Sequence, residues 1–207
     1  MNPAKIIAID GPSASGKGTI AKALATALGF HYLDTGTLYR MVGLTVLRQG
    51  LNPNDEEKVA AIAARLNTAS FEKADLRGER VGSYASKVAA LPQVRAALLK
   101  FQRDFAVMSP GSVLDGRDIG TVVCPQANVK FYVTAAIEVR ARRRCLEMPG
   151  SDFDVVKADI LARDARDQSR FVAPLKPAHD AVVIDTSDIT AKQAIELCLQ
   201  VIAQSQA

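Results

Sequence analysis

The sequence predicts an α/β protein: a parallel β-sheet of about five strands wrapped by helices on both faces. Three observations lead there. Five short apolar segments recur along the 207 residues, each too brief for a helix and bounded by turn residues or acids. Stretches with apolar residues at helical spacing alternate with them, as in chains that build parallel sheets through crossover helices. The strand ends carry Asp10, Asp34, Asp115-Gly116-Arg117-Asp118 and Asp185, so polar groups collect at the carboxyl edge, where such sheets bind ligands.

The first segment, KIIAI at residues 5–9, is β-branched and apolar and stops at Asp10-Gly11-Pro12, as suits a strand buried on both faces. Residues 17–28 place Ile20, Ala23, Leu24, Ala27 and Leu28 at helical spacing, and Gly29 supplies the stop. HYLD at 31–34 reads as a second strand. After a Thr35-Gly36 turn, Leu38, Met41, Val42 and Thr45 restore a helical stripe. Asn54 with Glu57 three residues on resembles a capping box for a helix running to about Leu66. Pro92 suits the first turn of another helix, with Val94, Leu98, Phe101 and Phe105 on one face. SVLD (112–115), VKFYV (129–133) and AVVID (181–185) are the remaining strands. Charged helical segments at 137–148 and 154–170 lie between the last two, and a final helix turns Ala194, Ile195, Cys198, Val201 and Ile202 inward.

Composition narrows the function classes. With 48% hydrophobic and 23% charged residues the chain can bury one full core, and one compact domain with insertions is expected. No apolar run approaches the ~18–20 residues that span a bilayer, and the amino-terminal stretch lacks the layout of a secretion signal, so a cytoplasmic protein without a membrane partner is expected. Cys124, Cys145 and Cys198 are odd in number and widely spaced, which argues for buried free thiols over disulfides or zinc. A net charge of +4 points to an anionic partner, and the arginines crowd the second half in RARRR (140–144) and RDARDQSR (163–170). RARRR alone could be a nucleic-acid patch, but it lacks interleaved aromatics, and no stable nucleic-acid partner is expected.

The most specific signal is Gly11-Pro12-Ser13-Ala14-Ser15-Gly16-Lys17, set between a strand and a helix. It matches the first seven positions of the phosphate-binding loop GxxxxGK[ST]. Backbone N–H groups of such a loop turn toward a polyphosphate, the helix N-terminus adds partial positive charge, and the lysine reaches the β and γ oxygens. The eighth position is Gly18, with Thr19 one place later. No side-chain oxygen at Gly18 can hold Mg²⁺. The ion must then be carried by phosphates and water, with help from a carboxylate at a neighbouring strand end such as Asp34. Switch-type GTPases and motor ATPases depend on that hydroxyl, so its absence argues against them.

GKGT after such a loop resembles the nucleoside monophosphate kinases. With YLDTGTLYR (32–40), YASKVAALPQVR (84–95), LDGRDIGTVV (114–123) and RDARDQSRFVAPL (163–175), four separated motifs in order, the chain resembles the cytidylate kinases from about residue 6 to 185. The resemblance implies transfer of the γ-phosphoryl group of MgATP to CMP or dCMP. It implies ATP contacts from Gly11 through Thr19 and acceptor-phosphate contacts from Arg40 and Arg117, with Thr35 nearby. It implies base contacts from Ser86, Arg95 and Asp118, and contacts to sugar and phosphates from Arg163, Asp167 and Arg170. Lys17, Arg117, Arg163 and Asp34 are the expected catalytic set. Spacing alone would let Arg163, Arg166/Asp167 and Arg170 form an exposed, ion-paired helix face. Arg117 and Asp118 could equally pair with each other at a turn.

The physical logic supports the implied roles. A nucleoside monophosphate already carries nucleophilic oxygens, so no strong base is required, but two polyanions must be brought together. Lys17, Arg40, Arg117, Arg163 and Arg170 with Mg²⁺ would form a fixed ring of positive charge that also enforces in-line approach. A carboxylate such as Asp118 can accept from the cytosine amine, where uracil presents a carbonyl, and an arginine such as Arg95 can donate to N3 and O2. The expected arrangement is a monomer with a core at 1–51, 106–142 and 173–207, an acceptor-binding insertion at about 52–105 and a lid at about 143–172. Two rivals are another small-acceptor P-loop kinase, for UMP/CMP or AMP, and a P-loop protein that binds nucleotide or RNA without catalysis. The stretch between Leu66 and Val81 is shorter than the acceptor-side insertion usual in the resembled family, and the lid is a few residues short around EMPGSD. Arg77 falls at a family arginine.

Overall fold

A computed structural model describes residues 5–72, 74–76 and 78–205. Arg77 lies outside the described residues. Five parallel strands form one sheet in the order β2-β3-β1-β4-β5: β1 (Lys5–Asp10), β2 (His31–Asp34), β3 (Gly111–Gly116), β4 (Val129–Thr134) and β5 (Val182–Asp185). Register aligns Asp10 with Gly116 and Asp34 with Asp115, which brings these chain-distant residues together at the carboxyl edge.

Alternation along β1 fixes the layers. Ile7 and Ile9 join Val113, Phe131 and Val133 on one face, under α1 (Lys17–Leu28) and α8 (Ala191–Gln204). Ala8 joins Leu114 on the other, against Ala106, Ile119 and Val123. Each large side chain fully removed from water here contributes roughly 1.5–3 kcal/mol. A third cluster lies beside the sheet, where α2 (Thr35–Arg48), α3 (Glu56–Ala64), α4 (Glu79–Val88) and α5 (Pro92–Ala106) pack through Leu38, Val42, Val46, Val59, Ala85, Val88, Val94 and Leu98. The helices α6 (Ile137–Glu147) and α7 (Phe153–Gln168) form a hairpin closed by Ala141, Val156 and Ile160. No helix among the described residues is long and apolar enough to cross a membrane.

Several local expectations need correction. Thr35 and Gly36 are not a turn: α2 begins at Thr35 because the Asp34 carboxylate accepts from the Thr37 amide at 3.2 Å. Asp55, not Asn54, caps α3 by accepting from the Lys58 amide at 3.3 Å, and the helix ends at Ala64. Phe101 stands 44% exposed, since the buried face of α5 runs through Val94, Arg95, Leu98 and Gln102. Cys124 and Cys198 are buried, but Cys145 is only half-buried. The helix α4 was not anticipated: its apolar stripe is just Val81, Ala85 and Val88, interrupted by Gly82 and Ser86.

Candidate active site

The loop from Gly11 to Lys17 leaves the end of β1 and runs close under β4. A Cβ at Gly11 would lie 2.0 Å from the Val133 carbonyl oxygen, so only glycine permits this path. Gly16 takes a left-handed conformation at φ 89° and directs the chain into α1. Lys17 curls back over its loop and donates to the Pro12 carbonyl at 3.2 Å. Burial, then the nearby Arg117 guanidinium, brings its ammonium down to about 8. Thr19 is exposed on α1.

The place of the missing hydroxyl is faced by other oxygens. A Cβ at Gly18 would stand 3.7 Å from Asp115 Oδ2 and 3.8 Å from the Tyr32 hydroxyl, and Tyr32 donates to Asp115 at 2.8 Å. Burial, then the neighbouring Asp34 carboxylate, pushes Asp115 up to about 7. No group of three or more His, Cys, Asp or Glu that could hold a metal occurs among the described residues. The Asp115 carboxylate facing Gly18, with the Asp34 carboxylate near enough to act on it, fits a hydrated Mg²⁺ whose remaining ligands are water and phosphate. Asp34 is the carboxylate that the sequence suggests for this role; Asp115 stands at a strand end as well, and only the fold sets it opposite Gly18. The Thr35 hydroxyl is committed elsewhere: it donates to the Asp115 carbonyl at 2.9 Å and ties α2 to β3.

Four arginines, from α2, the segment after β3, and α7 with its end, converge beyond the loop. Gly82 on α4 lets two of them approach, since a Cβ there would lie 3.3 Å from both Arg163 Nη1 and Arg40 Nη2. Arg40 is anchored by donating to the Leu76 carbonyl at 2.9 Å. Arg163 makes no hydrogen bond or ion pair among the described residues, and its buried Nε is without a partner. Burial, then the charges of Arg117 and Arg40, draws Arg163 down to about 10. Arg117 donates to Asp167 Oδ2 at 2.8 Å and to the Ser13 hydroxyl at 3.0 Å. Burial works to raise the Asp167 carboxyl, but Arg117 and Arg170 more than offset it and hold the group below the usual carboxylate range. Arg170, beyond the end of α7, pairs with Asp167 through its Nη2. An exposed ion-paired face is therefore the wrong description of Arg163, Asp167 and Arg170.

A buried polar cluster adjoins these cations. Arg95 on α5 pairs with Asp118 through Nη2, keeps its Nε without a partner, and stacks 5.6 Å from the centre of the Tyr39 ring. Arg117 and Asp118 thus do not pair with each other: each finds a different partner. The Ser86 hydroxyl stands 3.4 Å from Asp167 Oδ1 and accepts from Arg166 Nε at 3.3 Å, which links α4 to α7.

RARRR finds its places only in three dimensions. Arg140 donates to the carbonyls of Ala135 and Ser13 and pairs with Asp164, whose other oxygen accepts from the Ser13 amide at 3.0 Å. Arg143 donates to Thr186, which in turn donates to the Ser15 carbonyl at 3.0 Å. Arg144 reaches Glu79 on α4 at 2.9 Å. The α6–α7 hairpin therefore grips both the phosphate-type loop and α4. Sequence gave no signal for Asp164 beyond its place in the RDARDQSR motif.

The sequence model of the family described as cytidylate kinase matches residues 7–204. Proteins named cytidylate kinase from Rhodospirillum rubrum and Paramagnetospirillum magneticum are 53% and 52% identical to this chain; the alignments cover 96% and 97% of it and 97% and 99% of theirs. Among solved structures, a gluconokinase from Sinorhizobium meliloti superposes with a TM-score of 0.53 at 13% identity, covering 98% of this chain and 93% of that one. A shikimate kinase from Acinetobacter baumannii gives 0.50 at 19% identity, covering 97% and 94%. At such identities the likeness is one of fold.

Proposed function

The chain belongs to the cytidylate kinase family, and from that membership we propose how its residues divide the reaction between them. The enzyme transfers the γ-phosphoryl group of ATP to CMP or dCMP, giving ADP and CDP or dCDP. The division of roles rests chiefly on Arg163. The Arg163 guanidinium, half-buried, crowded by Arg40 and Arg117 and without a hydrogen bond or ion pair among the described residues, is costly in the empty protein and is relieved by an anion at that point.

In this reading ATP lies on the loop from Gly11 to Thr19, its phosphates facing the backbone amides at the start of α1, with Lys17 turning from Pro12 toward the β and γ oxygens. Asp34 and Asp115 are the residues that would hold a Mg²⁺ ion through its water, supplying charge neutralisation for the nucleotide phosphates, and Tyr32 fixes the Asp115 carboxyl by donating to it. Arg40 and Arg117 take the acceptor phosphate, and Arg163 and Arg170 close the cationic ring around the transferring group. Attack needs no added base, since the acceptor phosphate is already ionised. The contribution of these groups is alignment and fixed positive charge where equatorial oxygens gain charge.

Asp118 accepts from the cytosine amine and Arg95 donates to N3 and O2, with Ser86 beside them. A uracil would set its carbonyl against the Asp118 carboxylate. Asp167 orients Arg117 and Arg170 and meets the sugar. Residues from about 52 to 105 form the acceptor-binding insertion and those from about 143 to 172 the lid, which excludes water when it closes. ATP and CMP or dCMP are the partners, met in the cytoplasm by a monomer that carries every group named.

Coupled assay of ADP release with CMP, dCMP, UMP and AMP tests this reading. CMP and dCMP are expected to be the best acceptors; preference for AMP would overturn the base assignment.

A further inference from the structure

Asp10 closes β1 immediately before the phosphate-type loop, and its carboxylate bonds none of the groups placed so far. It is 3% exposed. Its Oδ1 accepts from the Ile119 amide at 2.8 Å and its Oδ2 from the Gly120 amide at 2.8 Å. Those amides open a π-helical turn, Ile119–Val123, that follows Asp118 directly. Helix-type turns leave their first N–H groups without backbone partners, and the residue ahead of the turn usually supplies the acceptor. Here that residue is Asp118, and its side chain makes no such bond. The carboxylate of Asp118 pairs with Arg95 instead. Burial pushes the Asp10 carboxyl up to about 7 even with two amides donating to it, so its ionised form is held at a cost that an apolar residue would avoid.

We propose that Asp10 is a positioning residue for base selection: by capping the turn in place of Asp118, it frees the Asp118 carboxylate to meet Arg95 and the cytosine amine. This rests on the reading of Asp118 given above. If the cap were missing, two buried N–H groups would lack acceptors, and the adjacent Asp118 is the carboxylate best placed to take them. Swinging to that duty would break its bond with Arg95 and remove the acceptor for the exocyclic amine. Register sets Asp10 beside Gly116, close enough to the turn after β3 for its carboxylate to reach the Ile119 and Gly120 amides.

Asp10→Asn keeps one carbonyl oxygen and sets an NH₂ group against the second amide. Turnover of CMP and UMP is measured for the wild type, Asp10→Asn, Asp118→Ala and the double variant. Asp10→Asn is expected to lower the CMP-over-UMP ratio of kcat/KM by about tenfold or more, with KM for ATP within about twofold of the wild type. In the Asp118→Ala background the same change should leave that ratio unaltered. A wild-type ratio in Asp10→Asn, alongside a lost ratio in Asp118→Ala, overturns the inference and spares the Asp118 reading. An unchanged ratio in Asp118→Ala sinks both. Equal losses for the two acceptors with a matching rise in KM for ATP also overturn it, since a merely structural carboxylate would act that way. Should Asp10→Asn fail to fold, amide hydrogen exchange in Asp118→Ala decides. Ile119 and Gly120 are expected to stay as protected as in the wild type, and exchange faster by tenfold or more would show that Asp118 holds them.

Discussion

Arg163→Met separates the cost of the cationic ring from its use. In the empty protein, burial and the charges of Arg117 and Arg40 hold the Arg163 guanidinium at about 10, well below the usual arginine range. At 1.36 kcal/mol per factor of ten in proton affinity, this corresponds to about 3 kcal/mol against the folded state. The penalty is present wherever the side chain is charged in both folded and unfolded chains, hence throughout neutral pH, and is relieved only as pH climbs past about 10. Water entering as the side chain moves lowers it, so the methionine variant should gain about 1–3 kcal/mol when empty. For a domain of this length that is a rise of roughly 3–8 °C in Tm. The same change deletes a charge placed at the transferring group, and kcat/KM for CMP should fall by roughly 10²–10⁴. Calorimetry without nucleotide and the coupled assay with saturating ATP read the two effects. A variant less stable than the wild type, or one within threefold of its kcat/KM, would refute the view of Arg163 as a charge held in waiting for an anion.

Other expectations follow from single contacts. Lys17 titrates near 8 in the empty protein and is raised once phosphate oxygens surround it, so ATP binding should take up a proton and weaken as pH rises above 8; titration calorimetry in buffers of different ionisation enthalpy measures the uptake. Gly11→Ala drives a methyl group to 2.0 Å from the Val133 carbonyl oxygen and should cost about 3 kcal/mol or more, seen as a large drop in Tm. Asp164→Leu strands the buried Arg140 guanidinium and should cost about 3–5 kcal/mol, and the added change Arg140→Met should restore most of that loss in a double-mutant cycle.

Much of the fold was legible because its signals are local. Five strands, the glycine loop and seven of the eight helices carry their own period, stop residues or turn chemistry, and none needs a distant partner to be read. Errors fell where a local signal was ambiguous. Asn54 and Asp55 are both good caps, and only backbone geometry chose Asp55. The helix α4 hid behind a three-residue stripe because its other face turns Ser86 toward Asp167 and opens at Gly82 for two arginines. A helix that serves a charged site cannot also display a wide apolar face.

By itself the sequence determined the class of chemistry. A strand, a glycine loop with its lysine and a helix make a phosphate site, and arginines in four motifs bring the positive charge that a second nucleotide requires. Tertiary structure alone decided which charges are spent on each other and which are left for substrate. Arg95 and Asp118 pair, Asp167 holds Arg117 and Arg170, and Arg163 makes no ion pair among the described residues. Charge strength at a site depends on burial and on distances across elements far apart in the chain, and neither quantity is written in residue order.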